Sequence, residues 1–202
     1  MKFKGTHLYL ALALPLAALA TTAAQAGASF MHVGGRTTQP VGHYEFCQRL
    51  PAECKQTTAS KAPVELTRKL WATMVNINNK INMSIEPRTD QEMWGVEERW
   101  SYPKDQGDCE DYVLEKRRQL MKAGVPAGNL LITVVRQPNG LGHAVLTVRS
   151  SLGDFILDNL EPRVLAWHET DYTYLKQQSQ RNSGVWVSIE DDRNIAVGSV
   201  NQ

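Results

Sequence analysis

Residues 130–160 leave this chain few folds to choose from. Three runs rich in Val, Leu and Ile, at 130–136, 142–149 and 154–160, are separated only by turn-forming residues: Pro138-Asn139-Gly140 in the first gap and Ser150 to Gly153 in the second. A parallel crossover needs a connection of about a dozen residues or more, so these strands pair antiparallel. A further run at 185–189 predicts a last strand. The helical patterns lie upstream. From Pro63, the residues Leu66, Leu70, Met74, Ile77, Ile81 and Ile85 recur at helical steps until Pro87. They predict an amphipathic helix whose apolar stripe faces the core rather than a partner. A second helix is predicted over 109–123, with Asp108 as N-cap and Glu110 and Asp111 at the positive end of the dipole. Gly124 suits the residue after its C-cap and Pro126 stops it. Residues 44–54 predict a short helical turn and 55–62 a polar linker. Residues 88–107 carry Trp94, Trp100 and Tyr102 but no period. Helices first and strands after them make an α+β domain, with N-terminal helices packed on an antiparallel sheet.

A different kind of segment stands at the N-terminus. Lys2 and Lys4 precede an apolar run from Leu8 to Ala20, and small residues lead to Ala24-Gln25-Ala26. This is the pattern of a secretory signal peptide cleaved after Ala26. The apolar run of about 13 residues falls short of the ~20 that a spanning helix needs, which disfavours a membrane anchor. Residues 1–26 are therefore expected to be a signal peptide, 27–43 a flexible leader rich in small residues, and 44–202 the folded domain. The mature protein would be exported, and periplasmic in a two-membrane bacterium. With 22 basic against 21 acidic residues and no basic half, the chain lacks the charge signature of a nucleic-acid partner.

Export changes how Cys47, Cys54 and Cys109 are read, because thiols tend to pair in an oxidising compartment. Cys47 and Cys54 are close in sequence, with Pro51 to bend the chain between them. A local disulfide is expected there, and two free buried thiols are the alternative. If that pair forms, Cys109 is left over as a candidate reactive thiol.

Cys109, His143 and Asp158 each have a bland reading, as a buried thiol, a structural imidazole and a turn carboxylate. Together they suggest chemistry. Cys109 would open a helix, where unpaired amides and the dipole favour a thiolate and can donate to an oxyanion. His143 and Asp158 lie on consecutive strands. A turn over 150–153 pairs Arg149 with Asp154, and counting outward places His143 and Asp158 on one face of the sheet unless a bulge intervenes. Ala144, Leu146 and Val148 then point the other way. Nucleophile, base and orienter are the parts of acyl transfer through a thioester.

At these positions the chain resembles the bacterial transglutaminase-like cysteine peptidases. Gly107-Asp108-Cys109-Glu110-Asp111 is similar to that family's G-D-C-E-D motif, and Gly142-His143-Ala144 and Leu157-Asp158-Asn159 are similar to its His and Asp motifs. The resemblance spans roughly residues 44–190. It implies a papain-like, transglutaminase-type core and a Cys109-His143-Asp158 triad. The LapG-type periplasmic proteases of this family imply more: Ca²⁺ held by Asp108, Glu110 and Asp111, an exported adhesin as substrate in biofilm control, and an inner-membrane receptor that sequesters the enzyme. Helix capping and dipole pairing are the alternative roles of those three acids.

Other readings carry distinct expectations. A transglutaminase or amide acyltransferase would use the same triad and deliver the acyl group to an amine. A non-catalytic periplasmic binding module would retain the fold without turnover. A Zn²⁺ site from Cys109, His143 and Asp158 lacks an evident fourth ligand. His32, His43 and His168 have no matching partners and are expected to be surface or structural.

Overall fold

The strand-rich stretch forms consecutive antiparallel strands in a computed structural model that describes Met1, residues 29–59 and residues 62–194. Apart from Met1, the expected signal peptide lies outside the described residues. In chain order, β1 (His32–Thr37), α1 (Val41–Arg49) and α2 (Pro51–Cys54) precede α3 (Arg68–Ser84), β2 (Glu86–Pro87), α4 (Asp90–Trp94), β3 (Gln106–Gly107) and α5 (Cys109–Lys122). Six strands follow: β4 (Leu130–Arg136), β5 (Gly142–Ser150), β6 (Gly153–Leu157), β7 (Leu165–Ala166), β8 (Thr173–Ser179) and β9 (Asn182–Glu190). The main sheet runs β1-β9-β8-β4-β5-β6-β7, and β2 and β3 form a small parallel pair.

Register follows the turn. Arg149 faces Asp154 and Leu146 faces Leu157. Gly153 turns the chain at φ +116°, and a Cβ there would also come within 2.5 Å of the Ser29 carbonyl oxygen, so both space and backbone demand glycine. Ala144, Leu146 and Val148 join Met74, Leu114 and Leu120 in the core beneath α3 and α5. Val135, Val145, Ile156 and Tyr174 build a second core with Met31 and Trp167 on the opposite face. Ile81, Ile85 and Tyr112 seal α3 against α5.

Several boundaries differ from expectation. The first long helix begins at Arg68 rather than at Pro63. Thr67 caps it by accepting the Leu70 N–H at 3.1 Å, while Val64 is held extended by bonds to Arg149 O and from Ser151 N–H. The expected flexible leader is only partly a leader. Its residues 32–37 are β1, the sheet edge paired with β9, and its end enters α1. β6 stops at Leu157, because Asp158 turns the chain and accepts the Leu160 N–H at 3.0 Å. The last strand is longer than predicted, and β8 was not predicted.

Cys47 and Cys54 form a disulfide, which rules out the two free thiols. Beside it His43 is buried, its Nδ1 accepting the Trp186 indole N–H at 3.2 Å. That is a structural role and not a surface one. Burial first, and Arg117 after it, push His43 down to about 4.

Candidate active site

Two short strands fix the approach to α5. Glu86 N–H donates to Asp105 O at 2.7 Å and Arg88 N–H to Gly107 O at 3.0 Å. This pairing lays the start of α4 against the segment that precedes Cys109. Gly107 is required by packing, since a Cβ would come within 2.8 Å of the Asp111 Cβ. Asp108 occupies the N-cap position of α5, yet its side chain does not cap the helix. Its Oδ2 accepts the Asp90 N–H instead, at 3.3 Å.

Cys109 is the first residue of α5 and the free cysteine among the described residues. Its Sγ lies 3.3 Å from Glu110 Oε2 as donor, and the Ala144 backbone N–H faces it. The expected lowering of the thiol is reversed. Burial pushes Cys109 well above its ordinary value, with the Glu110 carboxylate next in weight, and the Ala144 amide offsets only part of this.

His143, adjacent to Ala144 on β5, meets Asp158 just past β6. His143 Nε2 and Asp158 Oδ1 are 2.8 Å apart, and both side chains are buried. Asp158 Oδ2 accepts the Tyr172 O–H at 2.5 Å. Burial would raise the Asp158 carboxyl, but hydrogen bonds from His143, Tyr172 and Leu160 outweigh it and hold the group below its usual range. With Nε2–H assigned to the carboxylate by this network, Nδ1 is the basic nitrogen. Asp158 and Tyr172 also line a cleft of about 330 Å³ with Pro138, Leu160, Glu161 and Thr170, and Cys109 is outside that lining. The zinc reading gains no support, because the Asp158 oxygens are engaged by His143, Tyr172 and Leu160.

The acids beside the thiol gather differently from the set expected. Asp90, Asp108 and Glu110 bring ligand atoms within 4.8 Å of one another. Asp111 turns aside, its Oδ1 accepting the Ser101 N–H at 2.7 Å. Asp90 joins Asp108 and Glu110 in this close group, and nothing in the spacing of Asp90 from Cys109 pointed to it. Its sequence signal was local: Thr89 and Glu92 form a capping box that places Asp90 in the first turn of α4. Among the described residues, one buried oxygen on each of Asp90, Asp108 and Glu110, and likewise Asp111 Oδ2, has no hydrogen-bond partner. Burial raises Asp90 to about 6, the Arg99 amide working against it and Asp108 with it. Burial and then Asp108 push Glu110 well above its usual range. Three crowded carboxylates with orphaned oxygens fit a hard divalent cation such as Ca²⁺. The other metal-like group among the described residues, His43 with Cys47 and Cys54, has its sulfurs bonded to each other.

A family model described as bacterial transglutaminase-like cysteine proteinase matches residues 33–194. Among solved structures, EGTA-treated LapG of Legionella pneumophila is 23% identical with a TM-score of 0.50, over 63% of this chain and 74% of that one. Calcium-bound LapG of the same organism is 22% identical with a TM-score of 0.47, over 76% of this chain and 93% of that one. The EGTA-treated form shows a shared transglutaminase-like fold. No curated protein sequence matches.

Proposed function

The chain belongs to the bacterial transglutaminase-like cysteine proteinases, and from that membership we propose that it is an exported thiol peptidase cleaving an amide bond in a periplasmic or surface protein. The observation that carries the site assignment is the buried His143–Asp158 pair, adjoining the Ala144 amide that faces the Cys109 thiol. His143 Nδ1 takes the thiol proton, and the Cys109 sulfur attacks the substrate carbonyl. The Cys109 N–H, at the open end of α5, donates to the oxyanion. The imidazolium then gives its proton to the departing amine, leaving a thioester. His143 next deprotonates a water that hydrolyses the thioester and frees Cys109. Asp158 holds the tautomer and supports the imidazolium throughout. Asp90, Asp108 and Glu110 would hold Ca²⁺, whose positive charge would offset the carboxylates that otherwise oppose a thiolate. A surface adhesin as substrate and a sequestering inner-membrane receptor as partner come from the family resemblance and complete the proposal.

Cys109→Ala tests it. The variant should keep its circular dichroism, lose iodoacetamide labelling and release no fragments from the exported proteome that the native protein cleaves. Fragment release by the variant overturns the assignment. A labelled primary amine, incorporated in place of hydrolysis, would move the activity to acyl transfer.

A further inference from the structure

Tyr172 is the last residue before β8, and it stands against the His143–Asp158 pair. Its hydroxyl donates to Asp158 Oδ2 at 2.5 Å, and its ring lies 5.6 Å from the His143 imidazole. The other carboxylate oxygen, Oδ1, meets His143 Nε2 at 2.8 Å and accepts the Leu160 N–H at 3.0 Å. Among the described residues, Tyr172 thus supplies the hydrogen bond that holds Oδ2. A carboxylate bonded at one oxygen can turn about its Cβ–Cγ bond, whereas one bonded at both is fixed in plane. His143 and Asp158 are buried, while Tyr172 is half-buried and lines the cleft beside them. The loop that delivers Tyr172 is itself clamped. Arg193, just after β9, donates from Nη1 to Trp167 O and Thr170 O at 3.1 Å each, and from Nη2 to Tyr172 O at 2.5 Å. Asp191 holds the same guanidinium through two bonds of 2.8 Å and accepts the Tyr174 N–H at 2.9 Å. A planar guanidinium with fixed donors sets the geometry of whatever it holds. Loops at such sites are commonly the mobile part, and this one is pinned at three carbonyls.

We propose that Tyr172 is a positioning residue of the site: its hydroxyl, on a loop clamped by Arg193, fixes the plane of the Asp158 carboxylate, so that Oδ1 stays on His143 Nε2 and Nδ1 is left as the base. The purpose of this arrangement rests on the thiol-peptidase reading, but the placement is measurable without a substrate. The hydroxyl acts by placement and not by charge. As a donor it draws negative charge from the carboxylate, which by itself would weaken the support for an imidazolium. Placement and charge therefore predict opposite results when the hydroxyl is removed. Lost placement hinders proton transfer from Cys109 to His143, whereas restored charge on Asp158 assists it.

The test uses isotope-labelled full-length protein, nuclear magnetic resonance, and iodoacetamide as the probe of Cys109. Tyr172→Phe keeps the ring and removes the hydroxyl. The His143 ring N–H should then exchange with water about tenfold faster, and Cys109 should be alkylated about tenfold more slowly at fixed pH, the scale of one hydrogen bond to a charged group. Native exchange at His143, or alkylation that is unchanged or faster, overturns the proposal even where the variant is less stable, because a merely structural hydroxyl would give that result. If Tyr172→Phe does not fold, 3-fluorotyrosine at position 172 decides. Its more acidic hydroxyl is a stronger donor and should slow exchange of the His143 ring N–H, and unchanged exchange overturns the proposal. A native protein that cleaves nothing while both readouts move would count against the peptidase reading only. Cleavage with neither readout moved would count against Tyr172 only.

Discussion

Asp90 reaches Asp108 across 18 residues of chain, while Asp111, only a few residues away, is bonded to Ser101. The proposed Ca²⁺ ligands should follow space and not sequence adjacency. By calorimetry, Asp90→Asn should weaken Ca²⁺ binding by about tenfold or more, and Asp111→Asn by far less. Equal losses would restore Asp111 as a ligand. Cys109 as the free thiol was readable, because Gly107 to Asp111 is a compact motif and the pairing of Cys47 with Cys54 leaves Cys109 over. The state of its thiol was not readable. A helix start lowers a thiol only while its amides outweigh burial and neighbouring carboxylates, and Glu110 lies 3.3 Å from the sulfur.

Elements were legible where one face is apolar and a turn sets the count. β4 matches its predicted span, and the pairing of Arg149 with Asp154 follows from the turn at Gly153. β8 was not legible because Lys176, Gln177 and Gln178 break its alternation. Gln178 is buried for a reason that only the sheet supplies. Its side-chain oxygen accepts the Ile132 N–H at 3.2 Å, below the register shift between β4 and β8, and its amide nitrogen donates to Ser183 O. A polar side chain here continues the hydrogen bonding between β4 and β8 one residue past the last pair, Thr133 with Gln177. Caps divide in the same way. Thr67→Ala should destabilise the protein by about 1 kcal/mol in urea denaturation, because it removes a formed cap on α3. Asp108→Ala in metal-free protein should show no comparable capping loss, because that side chain does not cap α5.

Across the whole molecule, stability should depend on pH through His43. Its folded value of about 4 lies below the ordinary 6.5, so the unfolded chain takes up the proton first. The stabilisation from the neutral ring is complete above pH 6.5 and is lost as the pH falls toward 4, by roughly 3 kcal/mol across that window. His43→Gln should abolish this dependence, so the gap in unfolding free energy between the two proteins should narrow from pH 6.5 to 4. A constant gap would show that the ring is not buried neutral. The overall α+β architecture followed from the order of helices and strands, but the closure of the sheet edge by β1 did not, because the exposed residues of β1 carry little pattern. That closure has a consequence in time. Synthesis makes β1 early and its partner β9 among the last elements, so the edge strand waits unpaired until almost the whole domain exists. A pairing this distant along the chain is slow to find. The final topology, with β1 closing the edge on β9, is therefore unavailable to a partly made chain.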